Sequence, residues 1–331
     1  MNEIDPETRS WPWQGVASLL HVERNEAHPF LLLWAHSFSA GVALAPLFAA
    51  ANALFLFKIG SPWLPHAYIA SATMCIGAAW TYNRARKRFT TFRLFRLVLL
   101  ILLACVLTLR LAFDLTDASW PAFLLLGFHG VAGALLNVEV WGVAGQLFTV
   151  RQGKRLFGLI GSGELLVMSV GGLATPFLVT WIGTENLLLV AGAGLGGCLL
   201  CVSVLDREYG SRLARRVGAN AESVRTGIFS LARHRYTLWI FLLAIVGIVT
   251  GRLVDFAFLD QANARFQDED QLARLFGLLF GGSQATTLVL LTFATGPLLH
   301  RYGIATGMML RRVALTCCFV AILVVLFTAP A

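Results

Sequence analysis

Long apolar runs, broken by short polar connections, are the dominant pattern along this chain. The runs predict helices at about 30–57, 65–82, 94–113, 121–148, 156–182, 187–205, 236–258, 274–298 and 305–328. Each approaches the ~20 mostly apolar residues that a helix needs to cross about 30 Å of hydrocarbon. None shows the strict alternation of a half-buried strand. The pattern predicts an all-α, multi-pass membrane protein with nine spanning helices. Ahead of the first run, residues 1–29 are polar and hold five acidic groups, so no cleavable signal sequence is expected within them. Trp11, Trp13, Val16, Leu19 and Leu20 suit a short helix lying flat at the membrane interface.

Composition agrees with a membrane protein. The 331 residues are 57% hydrophobic and only 13% charged, with mean hydropathy +0.72, whereas soluble domains average roughly 25% charged. The net charge of +8 would raise nucleic-acid binding in a soluble protein. Here the basic residues fall between apolar runs, with no soluble domain around them, so no nucleic-acid partner is expected. All six cysteines lie inside apolar runs and read as small hydrophobes rather than as a disulfide or metal framework. Nothing in the sequence calls for a cofactor or a metal.

The distribution of charge sets the orientation. With the N-terminus placed in the cytoplasm, 21 of the 26 Lys and Arg residues fall in inside segments, as the positive-inside rule requires. Seven Arg lie in one stretch of about 30 residues, 206–235. That stretch divides the chain into an N-terminal segment (1–29), a six-helix bundle (30–205), a basic cytoplasmic linker (206–235) and a three-helix bundle (236–331). A bacterial inner membrane is the expected location.

One five-residue string occurs twice. Arg155-Leu-Phe-Gly-Leu159 opens the fifth helix and Arg274-Leu-Phe-Gly-Leu278 the eighth, and a Val-acid pair precedes each, Val138-Glu139 and Val254-Asp255. The fifth helix starts inside and the eighth outside, so the units are related by inverted topology. Counted in threes, nine helices make three units, and twelve helices are expected for the complete pseudo-symmetric arrangement.

Ionisable residues within a span are costly, about 2.5–3.5 kcal/mol each on insertion scales, and are functional candidates by default. Glu139, Glu164, Arg252, Asp255 and Arg110 qualify, with His36, His129, Asn52, Asn137 and Gln284 as polar companions. The expectation is that Glu139, Glu164, Arg252 and Asp255 line a central cavity, where carboxylates exchange protons and Arg holds anions. Arg252 and Asp255, three apart on one helix face, also suit pairing with each other, and Arg110 suits the outer interface near Asp114 and Asp117. Gly192-x-Gly194-x-x-Gly197 matches a dinucleotide fingerprint only as a string. Mid-helix and without a preceding strand, it reads as close helix packing. No nucleotide-hydrolysis loop and no clustered catalytic set is present, so an enzyme is not expected.

Six helices, a basic loop and further helices resemble the layout of major facilitator transporters. Gly296-Pro-Leu-Leu-His300-Arg301-Tyr-Gly303 resembles that family's Gly-x-x-x-Asp-Arg-x-Gly loop, with His300 in the Asp position. In the family, this motif staples helix ends in one conformation. Two stretches further resemble the ATP/ADP translocase-like branch. One runs from Glu139-Val-Trp through Lys154-Arg155-Leu-Phe-Gly to Gly163. The other joins Val254-Asp255-Phe256, Asp268-Glu269-Asp270, Phe276-Gly277 and Leu299 to Gly303. Nucleotide exchangers of that branch carry basic residues around a proline in their first helix, whereas this chain has Leu44-Ala45-Pro46-Leu47-Phe48-Ala49. The resemblance implies a secondary transporter working by alternating access, with a nucleotide or another small organic anion as substrate and a coupling proton. The rival expectation is a non-transporting facilitator-like module that anchors or regulates a cytoplasmic domain following residue 331.

Overall fold

The computed structural model describes residues 23–220, 235–266 and 268–290. Within them the chain is helical, with no strand. The helices are α1 (Arg24–Lys58), α2 (Leu64–Ala85), α3 (Thr91–Leu115), α4 (Trp120–Leu147), α5 (Val150–Ile182), α6 (Leu187–Asn220), α7 (Arg235–Arg265) and α8 (Glu269–Val289), with one 3-10 turn at Ser61–Trp63. Six of them are long and apolar enough to cross a membrane. The other two, α2 and α8, have 22 and 21 residues, enough for the span, but carry more polar positions. The expected ninth helix and the segment 1–22 lie outside the described residues.

Two expected boundaries shift. The sixth helix does not stop near 205 but runs to Asn220, so the first half of the basic linker is helical. Charged residues such as Arg207 and Glu208 end the apolar run without ending the helix. The seventh helix likewise continues through Asp260 to Arg265.

Helix ends follow local chemistry. Gly60 at φ 91° takes a conformation costly for any residue with a β-carbon, and it turns the chain out of α1 into the Ser61-Pro62 turn. Gly183 at φ 78° closes α5 in the same way. A capping box opens α5: Thr149 Oγ1 accepts from the Gln152 backbone N–H, and the Gln152 side chain accepts from the Thr149 N–H at 2.8 Å.

Helix α1 runs through the middle of the bundle and packs against α4, α5, α6 and α8. Its buried face is rich in alanine, including Ala40, Ala43, Ala49, Ala50 and Ala53, which lets neighbouring backbones come close. Glycines on the partners complete the fit. A β-carbon on Gly194 of α6 would strike the Ala43 backbone, and one on Gly163 of α5 would lie 2.9 Å from Trp34 O. The 192–197 glycine string is thus a packing surface, as expected for helix association inside a membrane.

Helices α5 and α8 form the closest seam. Gly172 meets Gly281 and Thr175 meets Gly277, so the two helices run antiparallel. Gly277 belongs to the second copy of the repeated string. Gly158, its counterpart in the first copy, faces open space. The two copies share topology but not packing partners.

Candidate functional site

Helices α1, α2, α4, α7 and α8 converge on a cavity of about 360 Å³. Each helix contributes a stripe at helical spacing. Tyr68, Ser71, Ala72 and Cys75 come from α2; Ile248, Arg252, Asp255, Phe258 and Leu259 come from α7. Phe48 and Asn52 of α1, Leu126, His129 and Gly130 of α4, and Phe276 of α8 complete the wall. The surroundings are apolar and aromatic, with a few converging polar groups, which is the usual make-up of a small-molecule site.

The charges of this cavity are Arg252 and Asp255, one turn apart on α7. Nη1 of the guanidinium donates to Asp255 Oδ2 at 3.3 Å, and the two side chains are 59% and 56% exposed. The guanidinium also lies over the Tyr68 ring, 5.2 Å from its centroid, a cation–π geometry. His129 meets Phe48 edge-to-face at 5.5 Å, and Phe48 stacks on Phe280 of α8 at 4.2 Å. Asn52 Nδ2 donates to the Phe48 carbonyl at 2.9 Å.

Glu139 does not line this cavity, contrary to expectation. It is fully buried on α4 against α1, where its Oε2 lies 4.0 Å from His36 Nε2. Both residues are essentially inaccessible, and the Glu139 carboxyl accepts no hydrogen bond from any described residue. Cys198 of α6 borders the same point, its thiol directed at the His36 carbonyl at 3.6 Å. A buried carboxyl group with no hydrogen-bond donor is costly, and such groups in native proteins call for a chemical explanation. The structure therefore separates the expected single cluster into two groups, an exposed charge pair and a buried acid–imidazole pair.

The other candidates distribute differently. Glu164 is partly buried on α5, and its backbone, not its side chain, is what meets Gly41 of α1. It too is absent from the cavity wall. Arg110 belongs to a polar network at the Lys58 end of the bundle. It donates to Asp114 at 2.6 Å and to Asn186 at 2.8 Å and lies 3.9 Å from Glu185, which also pairs with Lys58 at 3.5 Å. Asn137 is exposed and bonds along its own helix, donating to Gly133 O and accepting from Trp141 Nε1. Gln284 reaches Met168 Sδ across the α5–α8 seam. The loop motif residues Gly296, His300, Arg301 and Gly303 lie outside the described residues. No group of His, Cys, Asp and Glu suited to a metal occurs among the described residues.

Two contacts that sequence reasoning missed tie α7 and α8 to the first six helices. Ser61 Oγ donates to Asp260 at 2.6 Å, and Thr184 Oγ1 donates to Asp270 at 2.7 Å. Both sit at the Lys58 end. At the opposite end, contacts among the described residues link the first six helices to one another: Arg96–Asp206 at 2.7 Å, Gln152–Glu26 at 2.7 Å, and His28 at 3.1 Å from Tyr209. Tyr68 was also missed. Its position in the stripe 68, 71, 72, 75 was the available signal.

Apolar helices of spanning length define a multi-pass helical membrane protein. The chain belongs to the Major Facilitator Superfamily, whose family model matches residues 84–331, about three quarters of its length. Members of that family are transporters rather than enzymes. No curated protein and no solved structure matches the chain.

Proposed function

We propose that this protein is a secondary transporter that carries a small organic solute through the Arg252–Asp255 cavity by alternating access. The observation that carries the reading is the placement of that pair. A paired Arg and Asp sit where helices on both sides of the basic linker meet, in a span where a charge is costly to keep without a purpose.

The charge distribution supports an N-in orientation, and a bacterial inner membrane is part of this reading. In that orientation the Lys58 end is outer. The contacts Ser61–Asp260 and Thr184–Asp270, with the α5–α8 seam, then join the two sides of the protein at the outer end.

Glu139 and His36 form the proton site in this reading. A carboxyl group without a donor is neutralised most simply by a proton, and an imidazole 4.0 Å away offers a relay partner. The ATP/ADP translocase-like features belong to this proposal as well, but as kinship in architecture. A triphosphate needs several cations in a low-dielectric site, whereas Arg252 is the one Lys or Arg among the described residues of the cavity wall.

The test is coupled flux in proteoliposomes. Glu139→Gln keeps shape and hydrogen-bonding atoms, so it should leave the protein folded while abolishing proton-coupled solute movement. Coupled flux at the wild-type rate in that variant would remove Glu139 from the mechanism, and absence of flux of any solute in the wild type would remove transport.

A further inference from the structure

We infer that the cavity selects a zwitterionic small molecule, its carboxylate on Arg252, its ammonium on Asp255 and an apolar or aromatic part against the ring-lined wall. The inference rests on the transport reading and names the substrate class of the same cavity.

The first observation is the looseness of the pair. Ionised N–H···O contacts settle at about 2.7–2.9 Å; the Arg–Asp pairs Arg96–Asp206 at 2.7 Å and Arg110–Asp114 at 2.6 Å are close, whereas Lys58–Glu185 at 3.5 Å is loose. Arg252–Asp255 is 3.3 Å, by one nitrogen, with both side chains more than half exposed. A guanidinium has five N–H donors and a carboxylate about four acceptor positions, so the single contact between them leaves most of the capacity of both groups unused.

The second observation is charge balance. Among the described residues that line the cavity, Arg252 and Asp255 are the only Lys, Arg, Asp or Glu. A solute that is only anionic gains Arg252 but brings its charge beside Asp255. One that is only cationic meets the reverse problem. A zwitterion exchanges one loose contact for two charge-assisted ones and leaves the cavity neutral. Polyanions are disfavoured on the same count.

The third observation is the remaining wall. Phe48, Phe258 and Phe276 present rings to the space left beside the pair. The volume of about 360 Å³ lies within the roughly 300–1,000 Å³ of small-molecule sites. Together these favour an amino acid with a large apolar or aromatic side chain.

Native Cys75 lines the same wall and reports occupancy. The full chain in lipid nanodiscs is alkylated in the presence of L-phenylalanine, 3-phenylpropionate, 2-phenylethylamine or ATP, and modification of Cys75 is read by peptide mass spectrometry. L-phenylalanine should protect at concentrations at least tenfold lower than either single-charge analogue. R252Q should erase its advantage over the amine, and D255N its advantage over the carboxylate. The charge-exchanged double variant R252D/D255R should recover part of the preference that either single variant loses.

Equal protection by a single-charge analogue or by ATP overturns the zwitterion while leaving a solute site in the cavity. Unchanged phenylalanine protection in R252Q overturns it too. Protection by none of the four overturns it as well. Proteoliposome flux then separates the readings: persisting flux leaves transport standing with a substrate of another class, and absent flux removes both.

Discussion

Replacing Gly281 by alanine adds one methyl group where two backbones already touch. A β-carbon there falls 2.5 Å from the Leu173 nitrogen, 2.8 Å from the Gly172 carbonyl carbon and 2.9 Å from Gly172 Cα. Ordinary contacts lie at 3.4–4 Å, so α8 must withdraw from α5 by roughly 1 Å, a gap that forfeits up to about half of each dispersion contact it opens. All three obstructing atoms are backbone, so no side chain can rotate away. Overpacking of this kind costs about 1–3 kcal/mol. Alanine also gains up to about 1 kcal/mol over glycine in helix propensity, and that gain must be separated out. Gly282→Ala does so: the neighbouring position on the same helix has nothing within 4 Å of an added β-carbon. The difference between the two variants therefore isolates the seam at about 1–3 kcal/mol, with Gly281→Ala the less stable. Apparent melting of the detergent-purified protein, followed by tryptophan fluorescence, reads it directly. Gly281→Ala melting at or above Gly282→Ala would refute the close α5–α8 approach.

Further expectations follow from the same packing and polar contacts. Gly194→Ala, aimed at the Ala43 backbone, should lower the melting temperature, whereas Gly196→Ala, with open space around it, should not; equal melting would contradict the α1–α6 contact. Thr184→Ala removes a hydrogen bond to the Asp270 carboxylate and should cost about 1–2 kcal/mol. If that bond helps close the outer end, the same variant should also label faster with an impermeant reagent at a cysteine introduced for Ser61; unchanged labelling would reject a closing role. Glu139→Gln should melt no lower than the wild type, since it removes an acid that lacks a donor, and a large drop in melting temperature would show that the carboxyl has a structural partner.

Most of the helices were readable from the chain because burying backbone in hydrocarbon demands long apolar runs, and such runs show in sequence. The extensions of α6 to Asn220 and of α7 to Arg265 were hidden because a helix that leaves the apolar layer keeps its hydrogen bonds while its side chains become charged. Arg252 and Asp255 stood out by their cost in a span, and their spacing on one turn suggested the pair that forms. Glu139 stood out for the same reason, yet its direction did not. Whether a residue faces a cavity or the next helix depends on the rotation of α4 against α1, which no local pattern encodes. The contacts Ser61–Asp260 and Thr184–Asp270 use uncharged hydroxyls in turns, residue types that carry no distinguishing signal until the fold brings them to their acids. The glycines of α5 and α6 were legible as packing positions, whereas their partners Gly281 and Ala43 were not.

Solute counterflow into proteoliposomes, wild type against Arg252→Gln, tests the transport reading most directly. The account predicts that the wild type exchanges at least one small organic solute, with amino acids bearing large apolar side chains foremost, and that Arg252→Gln lowers that exchange at least tenfold in protein that melts like the wild type. Exchange at the wild-type rate in Arg252→Gln, or no exchange of any solute by the wild type, would contradict it.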